Sequence, residues 1–145
     1  MNECTGRTPG LLPLLHRAGV TVAERIEASL EPWGLSLAKL RALEQLDAEP
    51  AGLPLGHLAE RLSCVKSNVT QLVDRLEADG LVRREPNPAD RRCVVATLTE
   101  RGRESYRSAK AAREQAERQV MDRLSDGDRD RLVQLLSRLA MREPG

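Results

Sequence analysis

The stretch from Leu58 to Leu98, LAERLSCVKSNVTQLVDRLEADGLVRREPNPADRRCVVATL, most constrains what this chain can fold into. One short helical pattern leads into a second, which meets a glycine and gives way to two β-rich segments separated by a loop. In the second pattern Val69, Leu72, Val73 and Leu76 recur at spacings of three and four, which places them on one apolar stripe of a helix. Lys66, Ser67, Asn68, Thr70 and Gln71 lie off that stripe or in the exposed first turn. Side chains of these types read base edges or hold phosphates when a helix enters a major groove. Asp74, Glu77 and Asp79 follow, and their charge is repelled by phosphate. The N-terminal half is therefore the half expected to dock, where the helix dipole also favours an anion. An ordinary solvated helix face would carry similar residues, and the neighbouring segments are what favour the DNA reading.

Gly80 is placed to end this helix in the left-handed conformation, with Leu81 folding back over the last turn. Residues 81–84 and 93–98 are rich in strand formers. Between them, residues 85–92 are too many for a tight turn and are stiffened by Pro86 and Pro88. Arg91 and Arg92 on this loop suit the negative potential of a minor groove. Asp90 is expected to stabilise the loop by pairing with one of them while the other, Arg92 by preference, meets DNA. The order of helix, turn, helix, strand, wing and strand is that of a winged helix-turn-helix. The fold class expected is mainly α, an α+β winged helix.

LAERL at 58–62, SxxxxLVDRLEADGLVRRE from Ser67, PxPADRR from Pro86 and LTERGR from Leu98, followed by a long polar helix, together resemble the MarR family of bacterial transcription regulators. The likeness runs from about Leu11 to Arg142. Its most specific part joins DRR to LTERG, because that spacing couples a wing to the helix behind it. The resemblance implies an obligate dimer with a DNA-binding lobe on each subunit. It also implies, in many members, a ligand pocket or a reactive thiol between lobe and dimer arm. Cys64 and Val65 depart from the small residue and capping residue usual before the second helix, so either Ser63 or Ser67 is a candidate cap.

The remaining chain supplies the expected arm. Residues 1–10 read as a loose polar tail, and Leu11 to about Leu30 as a helix with Leu15, Ala18, Val22 and Ile26 on one stripe. Glu31-Pro32-Trp33-Gly34 breaks it, and Ser36 caps a helix to about Asp47. Leu53 is expected to bridge to the wing strands before a helix from Leu55 to about Leu62. Thr99 caps a long helix to about Leu124, roughly 38 Å at 1.5 Å per residue. Its apolar positions are sparse and small, so it reads as a solvent-bridging strut and not as a core helix. Ser125-Asp126-Gly127-Asp128 resembles a capping box and opens a last helix with Leu132, Val133, Leu135, Leu136, Leu139 and Ala140 in a broad stripe. Residues 11–34 and 99–142 are thus expected to form dimerisation helices and residues 36–98 the lobe, all within a single domain spanning 1–145.

Composition narrows the function classes. With no Phe, one Trp and one Tyr, the core must be built from Leu, Val and Ala, which suits helix packing. A net charge of +1 is not the footprint of a general nucleic-acid binder. Residues 61–119, however, hold 13 basic and 9 acidic side chains against 5 and 8 in residues 1–60, so positive charge gathers where the motif lies. No apolar run approaches the length of a membrane span and no export signal is evident, so a cytoplasmic location is expected. Three separated cysteines, Cys4, Cys64 and Cys93, argue against a disulfide scaffold. Cys93 reads as a packing residue and Cys4 as an exposed one. Cys64, just before a helix start, reads either as a small half-buried turn residue or as a redox switch. His16, Trp33 and Tyr106 are candidates for an effector pocket or are ordinary interface residues. No metal-ligand spacing, nucleophile–base pair or phosphate-cradling loop is found, so no catalytic residue, metal or cofactor is expected. The expected protein is a DNA-binding homodimer that acts as a repressor and is released from duplex DNA by a small-molecule effector. The alternatives are a thiol sensor using Cys64 and a winged helix used for protein interaction.

Overall fold

A computed structural model describes residues 9–141. The expected loose tail with Cys4 and the last expected arm residue, Arg142, lie outside the described residues. Six α-helices and three strands follow one another as α1 (Leu11–Leu30), α2 (Leu37–Asp47), β1 (Leu53–Pro54), α3 (Leu55–Leu62), α4 (Lys66–Ala78), β2 (Val82–Pro86), β3 (Val94–Leu98), α5 (Glu100–Met121) and α6 (Asp126–Ala140). A 3-10 turn, Glu31–Trp33, ends α1 where Pro32 was expected to break it. The strands form one antiparallel sheet in the order β1-β3-β2, with Leu53 opposite Ala96 and Val82 opposite Leu98. Because β3 is central and has helices near it, Val95, Ala96, Thr97 and Leu98 are all buried instead of alternating.

The core sits in the lobe. Leu40, Leu43 and Leu46 of α2, Leu58 of α3, and Val69, Val73 and Leu76 of α4 are withdrawn from solvent and meet Leu53, Val82, Ala96 and Leu98 of the sheet. The stripe read from α4 is therefore the face that packs, and Leu72 borders it. Ser36 caps α2 by accepting the Lys39 amide at 3.2 Å, and Thr99 caps α5 by accepting the Gly102 amide at 3.0 Å. Ser125 accepts the Asp128 amide at 3.3 Å and caps α6.

Four expectations need correction. Neither Ser63 nor Ser67 caps α4: its N-cap is Val65, without a side-chain hydrogen bond, and Ser63 instead terminates α3 in the left-handed region at φ 53°. Helix α5 is not a bare strut. Tyr106 and Ala109 lie in the core, and the helix packs along α1 and α2. Small side chains let helix backbones approach closely, so a sparse alanine stripe suffices to bury one face. The helix also stops at Met121, short of Leu124. Cys93, expected to pack, is exposed. The first half of α1 and all of α6 remain outside the core: α6 buries no side chain, and Leu12 is 78% exposed.

The lobe and α5 meet at one tight joint. Gly80, at φ 73°, ends α4 with paired bonds from the Gly80 amide to the Glu77 carbonyl and from the Leu81 amide to the Leu76 carbonyl, both 2.9 Å. The Thr99 hydroxyl donates to the Gly80 carbonyl at 2.7 Å, and the Thr99 amide donates to the Leu81 carbonyl at 3.1 Å. Gly102 lies so close behind that a Cβ there would sit 2.0 Å from the Leu81 carbonyl oxygen. Since the obstacle is backbone, Gly102→Ala is expected to lower stability by about 2–3 kcal/mol or more. Urea denaturation at fixed protein concentration measures this, and an unchanged midpoint would show that the joint can open without cost.

Candidate nucleic-acid interface

Helix α4 presents two different surfaces. Lys66, Ser67, Asn68 and Gln71 are exposed around its start, next to Val65 and the αL residue Ser63. Thr70 is half-buried and its hydroxyl donates to the Lys66 carbonyl at 3.0 Å, so it shapes the first turn before it faces anything outside. At the other end the acidic residues are engaged. Arg84 on β2 hydrogen-bonds to both Asp74 and Glu77, and Lys39 on α2 pairs with Asp79 at 2.7 Å. Burial works against the Arg84 charge, but the hydrogen bonds and charges of Asp74 and Glu77 outweigh it and hold the guanidinium above its ordinary value. The acidic half of α4 is thus tied down by cations of its own lobe, while the polar half is left open.

The wing is the turn between β2 and β3. Its mouth is closed by the Asn87 amide donating to the Cys93 carbonyl at 2.7 Å and the Cys93 amide donating to the Asp90 carbonyl at 3.0 Å. Asn87 Oδ1 accepts the Ala89 amide at 3.0 Å, and Asp90 Oδ1 accepts the Arg92 amide at 3.1 Å. The expected pairing of Asp90 with an arginine side chain is replaced by this backbone contact. A carboxylate two residues before an amide closes a turn locally. Among the described residues neither Arg91 nor Arg92 forms an ion pair, and both are exposed at the tip.

Other expected site residues are dispersed. Cys64 is exposed in the turn before α4, with its thiol donating to the Leu62 carbonyl at 3.3 Å, so it is not the half-buried turn residue of the plainer reading. Tyr106 is buried, and its hydroxyl is pushed above its usual pKa by burial and by Glu44 and Asp47, with Arg113 opposing. His16 stands on the exposed half of α1, while Trp33 lines a cleft with Lys39, Asp79 and Arg101. The three residues expected to share a pocket therefore do not share that cleft. The Arg84 clamp and the Lys39–Asp79 pair were missed by sequence reasoning, which offered only the alternation of acids on α4 as a hint.

A helix pair whose second helix has a polar start, followed by a three-stranded sheet with an arginine-tipped wing, defines a winged helix-turn-helix protein. Residues 33–92 match the model of the MarR family. The chain is 31% identical over 126 residues to an HTH-type transcriptional repressor, Rv2887, of Mycobacterium tuberculosis, covering 87% of this chain and 90% of that one. It superposes on a crystal structure of that protein in complex with DNA at a TM-score of 0.78, with 30% identity, covering 92% of this chain and 99% of that one. A complex of the same relative with salicylic acid gives a TM-score of 0.74 at 30% identity, over 93% and 99% of the two chains. The transcriptional repressor CouR bound to a 23-mer DNA duplex gives 0.84 at 29% identity, over 97% and 99%. The chain belongs to the MarR family of DNA-binding transcription regulators.

The clamp has a measurable weight. Arg84 is part-exposed, with a side-chain accessibility of 24%, so its paired contacts are discounted for screening. Arg84→Met is expected to lower unfolding free energy by about 1 kcal/mol at low salt, and by less at high salt. Denaturation at two ionic strengths checks this; a salt-independent loss would assign the role of Arg84 to packing of its stem.

Proposed function

We propose that the protein is a cytoplasmic transcription repressor that binds a pseudo-palindromic duplex as a homodimer and is released by a small-molecule effector. The single observation that carries the DNA contact is the division of α4 into an open polar start and a clamped acidic end, on a lobe whose wing bears two arginines without an ion pair among the described residues. Lys66, Ser67, Asn68, Thr70 and Gln71 serve the major groove, with Thr70 supporting the turn from within. Arg91 and Arg92 serve the adjacent minor groove, and Asp90 stabilises the wing that carries them. The described relatives with DNA lend this reading support by likeness.

The dimer is supported by the apolar surface that one chain leaves open. Leu11, Leu15, Leu132, Leu135, Leu136 and Leu139 bound a common hollow between the start of α1 and α6, with no large apolar element of the same chain over it among the described residues. Residues 11–34 and 99–142 act as the arm in this reading, and 36–98 as the lobe. Two-fold symmetry then sets half-site centres roughly 34 Å apart. No chemical step belongs to the function; it is binding and release. His16, Trp33 and Tyr106 remain candidates for the effector pocket when the second subunit is present.

Selection of random duplex DNA on the purified, reduced protein is expected to enrich an inverted repeat. Affinity for it should fall steeply with salt, and Arg92→Ala should weaken it and flatten the slope of log K against log salt by about 1. Failure of a folded dimer to enrich any sequence, or binding indifferent to salt, would move the protein to the class of winged helices that contact other proteins.

A second reading rests on the exposure of Cys64 beside the start of α4. If its thiol is a switch, peroxide abolishes DNA binding in the wild type and leaves Cys64→Ser bound. Equal loss in both proteins would remove Cys64 from regulation.

A further inference from the structure

Helix α4 lacks the start that α2, α5 and α6 have. Those three begin on Ser36, Thr99 and Ser125, whose side-chain oxygens each accept a first-turn amide. α4 begins on Val65, which has no such oxygen and forms no cap bond. Valine is among the poorer residues at this position, so the helix gains nothing from it there. Solvent gives no reason for it either, since Val65 is 61% exposed. Across residues 36–98 the other large apolar side chain left exposed is Val94, at 48%, and it has Pro86 opposite it in the sheet.

Val65 is also held in place. Its carbonyl accepts the Asn68 and Val69 amides at 3.1 and 3.3 Å, and Val69 is fully buried. Before it, Ser63 turns the chain at φ 53°, and the Cys64 amide donates to the Ala59 carbonyl at 3.0 Å. The main chain is thus fixed on both sides of an isopropyl group that faces water.

We infer that Val65 is a specificity-determining residue whose methyl groups seat against the 5-methyl group of a thymine in the major groove. Lys66, Ser67, Asn68 and Gln71 are exposed at the same helix start and present polar ends to a base edge or a phosphate. Val65 adds the apolar element that they lack. The thymine methyl is the apolar group displayed in a major groove, and a small apolar side chain distinguishes its base pair by contact. Such a contact removes both hydrocarbon surfaces from water, which a capping serine at 65 would not do. The contact rests on the reading in which α4 serves the major groove.

The duplex enriched by selection is remade with deoxyuridine in place of one thymine at a time. Each exchange removes a single methyl group and leaves the hydrogen bonds of the base pair intact. Affinity of the full-length reduced protein is expected to fall about fourfold at one thymine of a half-site, the weight of one buried methyl group. Val65→Ser should lose at least as much on the unmodified duplex, and should then bind the thymine and deoxyuridine duplexes alike. Its urea midpoint without DNA should rise, because serine supplies the missing cap. A weaker affinity then does not come from a damaged fold. No thymine at which deoxyuridine weakens the wild type, or the same sensitivity retained in Val65→Ser, overturns the methyl contact. A lower midpoint in Val65→Ser overturns the view that valine weakens the helix start. A protein that selects no duplex fails the DNA reading and this contact with it, whereas duplex binding without the methyl coupling fails this contact alone.

Discussion

The structure depends on one backbone contact, the seating of the first turn of α5 against the carbonyl of Leu81. At Gly102 no side chain could be present without meeting that oxygen. Thr99 closes the contact from both sides, giving its proton to the Gly80 carbonyl and receiving the Gly102 amide. These bonds join the end of α4, the root of the wing and the beginning of the long helix within a few residues. Three elements therefore leave one joint, and none can change its angle there without breaking these bonds or pressing α5 into the Leu81 carbonyl. The LTERGR segment is the sequence form of this junction: Leu98 packs in the core, Thr99 bonds, and Gly102 permits the approach.

Electrostatics divides the lobe in a second way. Helix α4 carries Asp74, Glu77 and Asp79, an arrangement that would repel a phosphate backbone if the acids were free. Arg84 and Lys39 hold all three from the side of the sheet and of α2. The cations offset the acids and at the same time aim the helix, since each pair spans two elements. The modest overall charge of the chain therefore coexists with an open polar edge, and specificity does not need an adhesive surface.

Much of the lobe was legible because periodicity and punctuation state it directly. The stripe of Val69, Val73 and Leu76, the stop at Gly80, the caps at Ser36 and Thr99, and the two-proline wing each depend on neighbours close in sequence. What escaped depends on meetings in space or on backbone groups. Arg84 finds its partners on a helix whose contact with β2 no spacing reveals. Asp90 was assigned an arginine side chain and bonds a backbone amide instead, because a sequence shows residue types and not free N–H groups. Helix α5 was placed in solvent because large apolar residues were counted, whereas Ala109 and Tyr106 bury it by closeness of approach. The proposed interface residues gain a common setting from the structure, and their role stays with the DNA experiment.

The wing's shape is written almost wholly in main-chain hydrogen bonds and in two side chains, Asn87 and Asp90, that turn back on their own loop. Arg92 lends that shape its amide alone, and among the described residues the side chains of Arg91 and Arg92 form no ion pair. Either guanidinium can therefore be replaced by another side chain while the hydrogen bonds that shape the loop stay in place. Tip and frame thus answer to separate constraints, charge at the one and hydrogen-bond geometry at the other.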